Sequence, residues 1–148
     1  MNNKYTEPQK KAQKYLSSVR ANERRIKTLE IEIQTQQTRL ELNGVSEGEN
    51  VAHSTAGDAM EQGFIQLYDY ISKLDTELTN YIDERERALS LLGHISNEAI
   101  FSVLYYVYFQ GYRFRELPYL LHASERQIYR WHNQGLSVLY RYLPQYLK

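Results

Sequence analysis

Along the first half of the chain, apolar and a few polar positions recur with alternating steps of four and three residues, the spacing of helices that each present one stripe to a partner. The first stripe runs Tyr15, Val19, Asn22, Ile26, Leu29, Ile33, Gln36 and Leu40. Glycine and proline are absent from residues 9–43, and the positions between the stripe are mostly Glu, Gln, Arg, Lys and Thr. A long helix, exposed over most of its surface, is expected there. Asn43-Gly44 reads as its C-terminal stop, since both residues tolerate the left-handed conformation that closes a helix. Residues 44–57 hold three glycines without periodicity and read as a flexible connection.

A second long helix is expected from about Asp58, whose carboxylate suits the amide-rich, positive end of a helix. Its stripe runs Met60, Phe64, Leu67, Ile71, Leu74, Leu78, Tyr81, Arg85, Ala88 and Leu92. Two heptad helices joined by a loop predict a coiled-coil-like antiparallel hairpin, or pairing between chains. Because two helices alone enclose little core, self-association through residues 12–92 is expected. Asn22 and Gln36 point the same way, because polar seam positions fix register. A solvated spacer is the other reading of the same pattern.

After Gly93 the pattern changes. Ser96-Asn97-Glu98 supplies an N-cap for a helix over 99–110 that is apolar nearly all round and therefore calls for cover on several sides. Gly111 closes it. A short helix over 114–121, a turn at His122-Ala123 and a last helix from Ser124 to about Leu143, ahead of Pro144, complete an all-α chain. The boundary predicted between the heptad region, 1–92, and a C-terminal bundle, 93–148, is Gly93.

Charge sharpens this division. The 148 residues carry no net charge, yet residues 1–27 hold eight Lys/Arg against two Asp/Glu, residues 28–92 four against thirteen, and residues 93–148 six against three. An acidic middle cancels two basic ends, and phosphate contact depends on a local basic face rather than on the total. Lys10, Lys11, Lys14, Arg20, Arg24, Arg25 and Lys27 form either a solvated helix face or a second DNA-contacting one. The apolar stretch at 101–109 is far short of the roughly 20 residues a membrane span needs, and the N-terminus lacks the apolar run of a secretory signal. Cysteine is absent, which excludes disulfides and thiolate metal sites and makes the cytoplasm of the cell the default compartment. His53, His94, His122 and His132 lack metal-site spacing, and neither a phosphate loop nor a nucleophile motif occurs, so no catalytic residue, metal or cofactor is expected. The run Asp83-Glu84-Arg85-Glu86-Arg87 reads as a salt-bridged surface.

The chemistry concentrates in FRELPYLLHASERQIYRWHNQGLSVLYRYL. Ser124 followed by Gln127 is the spacing of a capping box. Ile128, Trp131, Gly135, Leu136 and Leu139 share one helical face, whereas Glu125, Arg126, Tyr129, Arg130 and Asn133 share the other. A short helix, a three-residue turn and a capped helix with arginine-bearing first turns suit major-groove entry. Arginine can bond two acceptors on guanine, and Asn or Gln can pair with adenine. Arg113 and Arg115 are placed to meet phosphates. The tyrosines Tyr105, Tyr106, Tyr108, Tyr112 and Tyr119 read as core or core-edge residues, and Trp131 as core.

Over residues 97–143 this pattern resembles region 4 of bacterial sigma factors. The resemblance implies that Ser124 caps a recognition helix, that Glu125, Arg126, Tyr129 and Arg130 face bases, and that Ile128 is buried between them. Gly135-Leu136-Ser137-Val138-Leu139 is similar to the family's later small-residue and leucine signature. The chain departs from the family at Pro118, where a small residue is usual, and at His122, where glycine is usual. With the basic heptad N-terminus, "GDAM" and "YISKLDTELTNYIDERERAL", the whole layout resembles the ArpU/RinA group of phage and prophage late transcription regulators. That implies a cytoplasmic activator of late packaging and structural genes in a bacterial host that binds double-stranded DNA near promoters, with host RNA polymerase as a candidate partner, and the heptad stripes add the expectation of a homo-oligomer. A coiled-coil adaptor that binds polymerase or another regulator without reading DNA is the alternative, and helix pairs with capping boxes also occur in folds that never touch nucleic acid.

Overall fold

In the computed structural model, which describes residues 5–47 and 54–148, the described residues form five α-helices and no strand. They are α1 (Glu7–Glu47), α2 (Ser54–Leu92), α3 (Glu98–Tyr108), α4 (Leu117–Leu121) and α5 (Glu125–Tyr142), with short 3-10 turns at Phe114–Glu116 and Gln145–Leu147. Among these residues no helix is long and apolar enough to cross a membrane, and no group of three His, Cys, Asp or Glu side chains could hold a metal ion.

Helix α1 starts two residues before the expected position because Pro8 is tolerated in a first turn, where its missing N–H would have had no helical partner. A reciprocal box closes that end. Thr6 N donates to Gln9 Oε1 at 2.9 Å and Gln9 N to Thr6 Oγ1 at 3.3 Å. At the far end the helix runs through Asn43-Gly44 to Glu47, so the expected stop is not used. Glycine inside a helix costs only about 1 kcal/mol relative to alanine, a handicap rather than a barrier. Helix α2 likewise begins earlier than expected, at Ser54, which makes Asp58 an internal residue rather than the cap. Residues 48–53, on which the rest of the expected connection falls, lie outside the described residues.

The chain divides into two compact units whose boundaries cut across both long helices. The unit within Arg24–Ile82 is built on Leu29, Ile33, Ile71 and Leu74, with Leu40, Leu67, Leu78 and Tyr81 packed around them. Its two helical segments run antiparallel. Arg25 Nη2 pairs with Glu77 Oε1 at 2.9 Å, and seven residues on, Glu32 Oε1 accepts from the Tyr70 hydroxyl at 3.2 Å. Gln36, a polar position in the first stripe, is buried but bonded within α1 itself: its Nε2 donates to Glu32 Oε1 and its Oε1 accepts from Arg39 Nη1. Its polarity is therefore satisfied without a second chain.

The other unit joins α1 up to Glu23 to Asp83–Lys148. Its core draws on every helix: Ala12, Leu16 and Val19 from α1, Ala88 and Leu92 from α2, Val103, Leu104 and Val107 from α3, Leu117 from α4, and Ile128, Leu136 and Leu139 from α5. Full burial of each large aliphatic contributes about 1.5–3 kcal/mol, so this is the better-filled of the two cores. Here the first and last turns of the heptad helices supply the cover that the apolar α3 requires. Arg85, a position in the second stripe, reaches across to Glu23, with Nε 2.6 Å from Oε1, while Arg87 pairs along its own helix with Glu84 at 3.0 Å.

Asn97 caps α3, its side-chain oxygen accepting from Ile100 N at 3.2 Å. The helix ends at Tyr108, and Gly111 turns the chain with φ +78°, a value that suits glycine. Helices α3 and α5 approach closely where Gly135 faces Ile100 and Leu104. A Cβ added there would lie 2.7 Å from Leu104 Cδ1.

Candidate nucleic-acid interface

The candidate site is the short helix α4, the turn after it and the first turns of α5. Phe114–Glu116 forms a 3-10 turn, where the sequence pattern predicts continuous helix, held by a bond from Arg113 N to Glu116 Oε2 at 2.8 Å. Pro118 occupies the first turn of α4, a place where its ring costs no hydrogen bond. His122 closes α4 in the left-handed conformation, φ 51° and ψ 47°, with Ala123 N donating to Pro118 O at 3.2 Å. The backbone at His122 therefore takes the shape for which glycine is the usual residue, and histidine bears the strain. Ser124 Oγ then accepts from Gln127 N at 3.1 Å, one of the two bonds of the expected capping box.

Helix α5 turns its apolar face inward as its spacing predicts. Ile128, Gly135, Leu136 and Leu139 are buried and Trp131 is packed against the same core. The other face separates the expected site residues into two groups. Glu125, Arg126 and Arg130 are exposed, as are Ser124 and, before α4, Arg113 and Arg115. Gln127, Tyr129 and Asn133 are half-buried. Tyr129 stacks on Phe114, the ring centres 5.0 Å apart and the planes 10° from parallel. Arg126, Tyr129, Arg130 and Asn133 line one open groove together with Asn97, the cap of α3, Ile100 of α3 and Gln9 of α1. Arg113 and Arg115 do not line it. They bracket Phe114 instead, in the 3-10 segment that precedes α4.

Three features of this region lie outside the sequence pattern. Gln9 Nε2 donates both to Asn133 O at 3.2 Å and to Ser137 Oγ at 2.9 Å, so the first turn of α1 is fastened to the third and fourth turns of α5. The Thr6–Gln9 spacing marks only the start of α1 and not this contact. The second is His132, fully buried on α5. Its phase, four residues after Ile128 and four before Leu136, was the signal. Its Nε2 lies 2.7 Å from the Tyr108 hydroxyl and its Nδ1 3.4 Å from Asn133 Oδ1, with Tyr5 and Phe114 meeting the ring edge-on. Burial lowers the imidazole pKa to about 4, so the ring is neutral, and it raises that of Tyr108 well above the usual phenol value. With the Asn133 side-chain oxygen opposite Nδ1, the neutral ring carries its hydrogen there, which leaves Nε2 to accept from the Tyr108 hydroxyl. The third is Gln134, exposed in the groove one turn beyond Arg130.

Among the tyrosines, Tyr108 is buried and Tyr105 and Tyr106 pack against the core as expected. Tyr112 and Tyr119 do not: both are exposed, Tyr119 to 85%. A five-residue helix has one inward side, which Leu117 takes, leaving Tyr119 to solvent.

No protein-family model, curated protein or solved structure matches the chain.

Proposed function

We propose that the chain is a sequence-specific regulator of transcription that docks α5 in the major groove of duplex DNA, with α4 and the turn before it against the sugar–phosphate backbone. The supporting observation is the conjunction at the turn: a short α4, a left-handed residue at His122 and a serine-capped α5 whose first turns expose Arg126 and Arg130. That conjunction supports the helix-turn-helix reading, and the likeness to sigma region 4 rests on the same residues. The narrower reading, an activator of phage or prophage late genes acting beside host RNA polymerase in the bacterial cytoplasm, rests on the layout resemblance to the ArpU/RinA group.

The exposed arginines divide the work. Arg126 and Arg130 discriminate between base pairs, while Arg113 and Arg115 contact phosphates. Titration of duplex DNA at several salt concentrations tests this. Arg126→Ala and Arg130→Ala should each cost about 1–3 kcal/mol of discrimination, and Arg113→Ala should weaken all sequences alike and reduce the salt slope by about one. Wild-type affinity for the same footprint in both α5 variants would sink the docking model. An adaptor that does not read DNA would instead show neither retention on random duplex nor sensitivity to salt.

Self-association belongs to the same proposal. The unit within Arg24–Ile82 has four buried aliphatics at its centre and leaves Ile31, Ile65 and Tyr68 exposed, so it gains from further cover. A monomeric mass by light scattering at micromolar concentration would remove this part.

A further inference from the structure

We infer that the base-reading stripe of α5 is Arg126, Arg130 and Gln134, with Gln134 rather than Asn133 or Tyr129 supplying the amide or aromatic specificity contact. This deepens the DNA-binding reading and rests on it.

A side chain that reads bases must be exposed and uncommitted before the DNA arrives, because each bond surrendered on docking is subtracted from the discrimination gained. Helical phase alone puts Tyr129 and Asn133 beside the arginines, but the packing commits both. Tyr129 lies flat on Phe114 and is half-buried. Asn133 is half-buried, its side-chain Oδ1 lies 3.4 Å from Nδ1 of the buried His132 ring, and its backbone carbonyl accepts from Gln9 Nε2, which lays the Gln9 side chain over this position. On the same line of the helix Ser137 takes the second bond from Gln9. The first turn of α1 thus covers the α5 line that runs through Asn133 and Ser137.

The next line round the helix is open. Arg126, Arg130 and Gln134 are all exposed, all line the same groove, and follow one another at steps of four. They therefore stand about 6 Å apart along the axis, nearly in file. Glutamine offers a donor and an acceptor in the pair that matches adenine, as arginine matches guanine, so the stripe predicts a site with guanines contacted from the start of α5 and an adenine contacted from Gln134.

Selection from a randomised duplex library, using the full chain, decides the matter. The wild type should enrich a motif; Gln134→Ala should enrich the same motif with preference at one A·T pair reduced about tenfold. Gln134→Glu should move that preference towards cytosine, which presents a donor. Asn133→Ala should keep the motif, even with a lower melting temperature. An unchanged motif for Gln134→Ala, or loss of the adenine preference in a folded Asn133→Ala, overturns the assignment. If the wild type itself enriches nothing, the DNA-binding reading fails and takes this inference with it.

Discussion

The Tyr108 hydroxyl and His132 Nε2 meet at 2.7 Å inside the core, joining α3 to α5 through the one fully buried histidine of the described residues. Burial holds the imidazole pKa down to about 4, against an ordinary value of 6.5. Between those values the unfolded chain binds a proton that the folded one excludes. Stability from this group is therefore complete above about pH 6.5 and is lost as pH falls toward 4, by a total on the order of 3 kcal/mol. Thermal melts between pH 7 and pH 4.5 should show this decline, and His132→Gln should show a shallower one. Equal slopes in the two proteins would mean that His132 is not the group responsible.

Gly135 stands where α5 crosses α3, with Leu104 Cδ1 2.7 Å and Ile100 Cγ2 3.0 Å from the place a Cβ would occupy. In an exposed helix, glycine to alanine stabilises by about 1 kcal/mol. Here Leu104 is fully buried and has little room to give. Gly135→Ala should therefore destabilise by about 1–2 kcal/mol, and Gly135→Leu by more, since overpacking forces strained rotamers or a backbone shift. Chemical denaturation of the two variants checks the sign. A more stable Gly135→Ala would show that the crossing yields easily.

His122 is the one non-glycine residue with positive φ among the described residues, and its side chain is exposed. The left-handed conformation costs roughly 1–2 kcal/mol for an L side chain, partly offset by the greater unfolded-state freedom of glycine. His122→Gly should raise stability by about 0.5–1 kcal/mol, whereas His122→Val, branched at Cβ, should lower it. Both effects are read from the denaturation midpoint. A destabilised glycine variant would mean that the imidazole makes a contact worth more than the strain.

These particulars show which parts of the molecule were legible in advance. Periodicity located all the helices, and every residue of both heptad stripes is buried or half-buried, because local spacing and tertiary burial agree along a helix that packs on one side. The capped start of α5 was equally plain, since Ser124, Gln127 and Ile128 act within one turn. What failed to show was long-range. That Gln9 would occupy the carbonyl of Asn133, 124 residues away, has no local signature. For the same reason the pattern favours Asn133 over Gln134, as helical phase ranks the two by their distance from the core and says nothing of which is covered by another helix. Tyr119 is exposed, against the expectation of a core-edge residue, because α4 is too short to have the buried circumference that a longer helix over 114–121 would have.

The link between the ends of the chain can itself be measured. Gln9 serves twice, accepting from Thr6 N through Oε1 while its Nε2 donates to Asn133 O and Ser137 Oγ. Thr6→Ala removes the hydroxyl half of the box and should cost about 1 kcal/mol, the usual worth of a cap. Gln9→Glu retains an oxygen for the cap but replaces the amide donor with a second acceptor, which the Ser137 hydroxyl can meet by donating and the Asn133 carbonyl cannot. It should cost about 1–3 kcal/mol, because a carbonyl is left without its partner and a charge is brought against it. The ordering, Gln9→Glu more destabilising than Thr6→Ala, is the expectation that matters, since a purely local cap would give the reverse. Amide hydrogen exchange adds a second reading. With Gln9→Glu, protection in α5 should fall around Ser137, and with Thr6→Ala it should not. Unchanged exchange in α5 for Gln9→Glu would show that α1 and α5 hold together through Ala12, Leu16 and the apolar core alone.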